Sequence, residues 1–212
     1  SKCRKEGRVT VQKMERKEKS ENPPQLYDLT TLQRDANRIL GYTAQQTLDY
    51  LQSLYEKKMT TYPRTDSRYL TDDMEDSVKA IVLCAAGMLD VDAPTIASPG
   101  QVCDSKKVSD HHAVIPTILA GEADLSGLPA GEREVLMLVC RQVLMAVSES
   151  YRYEQTTAVI ECGGYSFTAK GKTVTNMGWK AYLTQEQKDK SLPELAEGNA
   201  YTPNDISVKE GK

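Results

Sequence analysis

The segment Met59-Thr60-Thr61-Tyr62-Pro63-Arg64-Thr65-Asp66-Ser67 holds the most unusual chemistry of the chain. It is polar, stiffened by one proline, and sets a phenol two residues from a guanidinium. A phenol titrates near 10, so it is a poor nucleophile at neutral pH unless a cation or base assists it. A guanidinium can clamp a phosphate with two parallel hydrogen bonds and stabilise charge developing in a transition state. The pair Tyr62 and Arg64 therefore fits phosphoryl chemistry. The chain has 11 tyrosines, and buried tyrosines are ordinarily core residues with a bonded hydroxyl, so residue types alone leave that alternative open. A second polar cluster, His111-His112, reads as a polar pair at a loop–strand junction or an accidental metal site. Adjacent histidines on a strand point to opposite faces, which disfavours joint metal ligation.

The elements that must hold these residues are legible in part. Val9 and Val11 alternate with polar residues and predict a strand. Pro23-Pro24 ends it, because neither residue can donate to a ladder. Thr30 with Gln33 predicts a capping box for a helix whose apolar face carries Leu32, Ala36, Ile39 and Leu40, and Gly41 supplies the stop. Thr43 with Gln46 opens a second helix carrying Leu48, Leu51, Leu54 and Tyr55. Such a pair resembles a helix-turn-helix unit. Thr71 is expected to cap a third helix, with Asp72, Asp73, Glu75 and Asp76 in its first turn, where carboxylates meet the positive end of the dipole. Residues 90–110 read as a long loop, Gly131 to Val147 as a strongly apolar helix, and Thr156–Cys162, Gly163-Gly164 and Tyr165–Lys170 as a hairpin. The fold class expected is α+β: a helical domain carrying the tyrosine, residues 26–148, inserted into a β-rich domain built from residues 1–25 and 149–212.

Composition bounds the partners. With 39% hydrophobic and 27% charged residues the chain is an ordinary globular one, and a net charge of -3 excludes a wholly basic coat protein. The first twenty residues are locally basic, a solvated strand face or a DNA contact. Arg34 and Arg38, one helical turn apart, fit either a DNA-facing or a solvated face. The 5 cysteines are odd in number and never in C-x-x-C spacing, which favours free thiols in a reducing compartment, with Cys140 in the core. No apolar stretch is long enough to span a membrane, and the charged start is not a signal peptide. The lack of an initial Met and the charged final stretch suggest a piece of a longer polypeptide.

Leu29-Thr30-Thr31-Leu32-Gln33-Arg34-Asp35-Ala36-Asn37-Arg38, then Thr47, Leu54-Tyr55-Glu56 and Thr61 to Ser67, resemble the signature of type IA DNA topoisomerases. Asp110-His111-His112-Ala113-Val114-Ile115-Pro116-Thr117 is similar to the family's histidine motif, and its double histidine with Ile-Pro-Thr leans toward the topoisomerase III branch. Ala169, Gly171 and Gly178-Trp179 resemble the strand leaving the family's β arch. The resemblance implies that Tyr62 forms a transient 5'-phosphotyrosine bond, that Arg64 positions the scissile region, and that His111 contacts backbone phosphate, with Arg34 and Arg38 binding DNA. It implies that the helical domain is the tyrosine domain (domain III) and the β-rich one part of the arch (domain II). It places the Mg2+ carboxylates in a Toprim domain for which no pattern is found here, so no metal is expected in this chain. The substrates implied are single-stranded and negatively supercoiled or catenated DNA, acted on without ATP by a cytoplasmic, nucleoid-associated monomer. Isolated, the chain is expected to be inactive, since expelling a sugar alkoxide needs proton donation or charge neutralisation. Competing classes fit less well. The second helix offers only Lys57 and Lys58 for reading bases, and neither recombinase nor replication-nuclease spacing surrounds Tyr62. A structural fragment without chemistry describes the isolated chain better than its parent.

Overall fold

The computed structural model describes residues 2–184 and 190–207. The chain forms two compact units: one from Ser1–Glu21, Arg152–Met177 and Gln185–Lys212, the other from Asn22–Tyr151 with Gly178–Thr184. With helices in one and a sheet in the other, the class is α+β.

The sheet unit holds α1 (Lys2–Glu6), β1 (Val9–Glu21), β2 (Tyr151–Cys162), β3 (Tyr165–Asn176) and β4 (Ala200–Tyr201). The strand order is β3-β2-β1-β4, with β2 antiparallel to β3 and β1 antiparallel to β4. The hairpin expected from alternation is present, and its strands run beyond the expected limits to Tyr151 and Asn176. Its two-residue turn needs positive φ at both positions, and Gly163 and Gly164 adopt 60° and 80° without a Cβ penalty. Among its described residues few are buried: Cys3, Val11, Ala158, Cys162 and Gly171. Most of β1 is exposed, as a strand rich in lysine and glutamate must be.

The helical unit holds α2 (Leu29–Leu40), α3 (Ala44–Glu56), α4 (Glu75–Leu89), α5 (Ile118–Glu122) and α6 (Ala130–Val147). Its core gathers around α6, whose Val135, Leu136, Val139, Cys140 and Leu144 are fully buried against α2, α3 and α4. Each such side chain contributes about 1.5–3 kcal/mol through the area it removes from water. Leu32 and Ala36 of α2 and Leu51 and Leu54 of α3 complete the core. Ile39, expected on the same face, is 44% exposed, while its neighbour Leu40 packs against the core.

Helix caps refine the sequence reading. Helix α3 opens on the expected box, with Thr43 Oγ1 accepting from Gln46 N and Gln46 Oε1 from Thr43 N. Helix α2 opens two residues earlier than expected: Asp28 Oδ1 accepts from Thr31 N at 2.6 Å, and Thr31 Oγ1 accepts from Asp28 N. The carboxylate out-competes the Thr30 hydroxyl as a cap, and the Leu29 N–H donates to Thr65 O, which fixes the start. Gly41 ends the helix at φ 76°. The Thr71 side chain makes no capping bond; Asp72–Met74 forms a short 3-10 turn and α4 begins at Glu75. Asp72 instead joins the long loop, exchanging hydrogen bonds with Ser105. That loop caps α6: Ala97 N donates to Val147 O and the Gln101 side-chain amide to Ala146 O, satisfying carbonyls that every helix C-terminus leaves orphaned.

Candidate nucleophile site

Helix α3 delivers the chain to the site. Lys58, at φ 60°, and Met59 close its C-terminus through N–H bonds to Tyr55 O and Leu54 O. Met59 is then buried and Thr60 bridges Pro116. From here to Leu70 the polypeptide runs beside residues 102–117, fastened at nearly every step. Thr61 N donates to Ile115 O, while Thr61 Oγ1 donates to Ala113 O and accepts from Ile115 N, each at 3.0 Å. Thr65 Oγ1 donates to His111 O at 2.7 Å and accepts from Ser67 N at 3.1 Å. Asp66 accepts from Ser109 Oγ at 2.9 Å, Ser67 Oγ lies 3.0 Å from Lys107 O, and Leu70 exchanges backbone bonds with Val102 and Asp104. Short β-branched or hydroxylated side chains suit this role, because they reach a neighbouring carbonyl with little rotamer entropy lost. Thr60 is the exception. Its Oγ1 is buried and finds no partner among the described residues.

This fastening sets Tyr62 against His111. The ring centroids stand 4.2 Å apart with planes inclined at 34°, and the edge of Tyr55 meets Tyr62 at 5.5 Å and 86°. Tyr62 is half-buried, Pro63 buried and Arg64 exposed. The Arg64 guanidinium enters none of the ion pairs found among the described residues, leaving its five donors available to an anion. His112 turns away from this cluster, its Nδ1 2.9 Å from Ala113 O. So the structure brings Tyr62 and His111 together and leaves Arg64 open to solvent two residues on.

Arg34 and Arg38 differ in state. Arg34 is exposed and outside the ion pairs above. The Arg38 guanidinium lies 2.8 Å from Asp35 Oδ1, and Asp35 Oδ2 accepts from the hydroxyl of buried Tyr27 at 2.8 Å. The Asp35 hydrogen bond and charge raise the Arg38 pKa further. Burial first, then the Asp35 bond, push the Tyr27 phenol far above its ordinary value. Sequence reasoning missed Tyr55 as a ring partner of Tyr62 and the Tyr27–Asp35 support of Arg38. The spacing of Asp35 and Arg38, three apart on a helix, carried a signal for the ion pair. Nothing in the order of residues pointed to Tyr27.

All five cysteines are free thiols, and Cys140 lies in the core as expected. No described helix is long and apolar enough to cross a membrane. Among the described residues no three His, Cys, Asp or Glu side chains gather into a group that could hold a metal ion.

A half-buried phenol stacked on an imidazole, beside an exposed guanidinium, on an α+β frame, fits the family that the motifs resemble. The family model for DNA topoisomerase matches residues 1–212, and the chain belongs to that family. The chain is similar to bacterial proteins called DNA topoisomerase 3. The Bacillus licheniformis protein is 37% identical over 203 residues, covering 89% of this chain and 28% of that protein. The Bacillus subtilis protein is 36% identical over 219 residues, 96% of this chain and 30% of that protein. The chain thus spans less than a third of the length of these relatives. The structure of full-length topoisomerase I from Thermotoga maritima matches with a TM-score of 0.69 at 21% identity, over 92% of this chain and 33% of that one. That likeness is one of fold.

Proposed function

We propose that Tyr62 is the nucleophile of a DNA-strand-passing enzyme. Its phenolic oxygen attacks a backbone phosphorus and gives up its proton to solvent, the bond from phosphorus to the 3'-oxygen breaks, and the leaving oxygen takes up a proton. The strand is then held as a 5'-phosphotyrosine ester, and reversal reseals it without ATP, since the ester conserves the bond energy. Arg64 clamps the scissile phosphate and stabilises its developing charge. His111 donates to a backbone phosphate beside the break, and Arg34 and Arg38 hold the strand further along. The helical unit serves as the tyrosine domain and the sheet unit as part of the arch. A Toprim domain elsewhere in the polypeptide holds Mg2+ and supplies the proton donor. The substrates are single-stranded DNA and negatively supercoiled or catenated duplexes, which a monomer in the cytoplasm, associated with the nucleoid, relaxes or unlinks.

One observation carries this reading: Tyr62 and His111, from motifs far apart in sequence, stack ring on ring at 4.2 Å. The test is a covalent-trapping assay. The chain is mixed with a labelled single-stranded oligonucleotide and Mg2+, alone or with the Toprim-bearing remainder of its polypeptide, then quenched in detergent. The expected result is no adduct from the chain alone and, with the remainder present, an adduct on the Tyr62 peptide that Tyr62→Phe abolishes. An adduct surviving Tyr62→Phe overturns the nucleophile assignment. Abundant Tyr62-dependent cleavage by the chain alone overturns the dependence on a second domain.

A further inference from the structure

Two of the five thiols, remote in sequence and outside the tyrosine site, lie against each other within the sheet unit. Cys3 Sγ on α1 donates to Cys162 O at 3.2 Å, and Cys162 Sγ reaches back toward Cys3 O at 3.9 Å. Each sulfur thus rests beside the other residue's main chain. The backbones are in direct contact here: a Cβ added to Gly163 would stand 2.9 Å from Cys3 N and 3.1 Å from the Lys2 carbonyl carbon. Both cysteines are buried, at 7% and 2%. Such close approach of two main chains, with thiols between them, is what a disulfide requires of its flanking backbone. The other three cysteines show no such reciprocal pairing. Cys84 bonds to the carbonyls of Thr117 and Ile118 instead.

We propose that Cys3 and Cys162 form a reversible redox pair that closes into a disulfide and pins α1 to the β2–β3 turn. The oxidant is a low-molecular-weight disulfide. One cysteine thiolate attacks it and expels a thiolate, giving a mixed disulfide. The second cysteine then attacks the protein sulfur and expels the other half. Two thiols of the protein are oxidised, one small disulfide is reduced to two thiols, and the two protons lost by the cysteines pass to the leaving thiolates or the buffer. Geometry selects the pair, and access controls its rate. Burial, then the neighbouring Cys3 thiol, push the Cys162 thiol well above its ordinary value. The attacking thiolate is therefore scarce at neutral pH, and closure accelerates as pH rises, about tenfold per unit below the thiol's own pKa.

The test uses the whole 212-residue chain. It is incubated with mixtures of oxidised and reduced glutathione at several pH values, alkylated, digested and mapped by mass spectrometry. The expected product is one cross-linked peptide pair joining residues 3 and 162, lighter by two hydrogens and separated by dithiothreitol. It is absent from Cys3→Ser and Cys162→Ser, and its rate rises with pH. The oxidised chain should unfold about 5–10 °C higher, because the bridge closes a very long loop in the unfolded state. The map of the parent chain needs no variant to fold. Glutathione adducts at Cys3 or Cys162 without the cross-link overturn the proposal, as does a bridge that forms only after denaturation.

Discussion

Replacing Thr65 by valine removes one oxygen and keeps the branched shape of the side chain. The loss is larger than one hydrogen bond. Thr65 Oγ1 donates to His111 O and accepts from Ser67 N, and each bond is worth about 1 kcal/mol net. Ser67 is 3% exposed, so its N–H would stay buried with its acceptor gone, a penalty of about 1–3 kcal/mol. The lost bond to His111 O and the stranded Ser67 N–H together predict a local destabilisation of about 2–4 kcal/mol. Thr61→Val should behave alike, because it strands Ile115 N on a buried residue and takes the Thr61 hydroxyl from Ala113 O, which keeps His112 Nδ1 at 2.9 Å. Thr60→Val should not. Its hydroxyl is already without a partner, and replacing it by a methyl group is expected to be neutral or to stabilise by about 1 kcal/mol. Global unfolding reports such a local loss only indirectly in a chain of two units. Hydrogen exchange at the amides of Ala113, Val114, Ile115 and Thr117 reads the fastening directly. In Thr65→Val these amides should exchange at least about 30-fold faster, and Thr65→Ser should restore most of the protection. Unchanged exchange in Thr65→Val, or equal effects of Thr60→Val and Thr65→Val, would refute the reasoning.

Three further outcomes follow from other parts of the molecule. Gly131→Ala should destabilise by about 1–2 kcal/mol in a denaturant titration of the helical unit's signal. The new Cβ would stand 2.4 Å from Tyr50 Cζ, and overpacking of about 1–3 kcal/mol outweighs the helix propensity gained, which is about 1 kcal/mol at most in a first turn. The raised Tyr27 phenol stays protonated in the fold, so its stabilising contribution is complete below about pH 10, the ordinary phenol value, and declines above it as the unfolded chain ionises. Tyr27→Phe should flatten that alkaline limb in thermal melts run at stepped pH. In salt titrations of single-stranded DNA binding, Arg34→Gln should lower the slope of log affinity against log salt by about 0.7. Arg38→Gln should lower it by less, because Asp35 already compensates that charge at 2.8 Å.

Much of the fold was legible because local signals coincide. The Thr43–Gln46 box, the Gly41 stop, the Gly163-Gly164 turn and the apolar run of α6 each reflect interactions within a few residues. The cap of α2 was misplaced since its start is set partly from outside, by Thr65 O taking the Leu29 N–H. The 3-10 turn at Asp72–Met74 has the same origin, Asp72 being engaged by Ser105 across the long loop. At the site, residue types gave Tyr62 and Arg64 a plausible chemistry, and resemblance gave them weight. The stacking of His111 on Tyr62 and the contact of Cys3 with Cys162 join residues too distant in sequence for any periodicity to reveal.

The fastening of the tyrosine segment to residues 102–117 sets what a cut in the chain would separate. Between Val91 and Ser98 the backbone has no regular structure and most side chains are exposed, while α4 before it is held against α6. A protease nick there would divide the chain between the phenol and the imidazole. The two would nonetheless stay in register, because threonine and serine hydroxyls and main-chain hydrogen bonds, not the intervening peptide, join their segments. The helical unit is in this sense a natural split protein, whose halves carry complementary edges of one site.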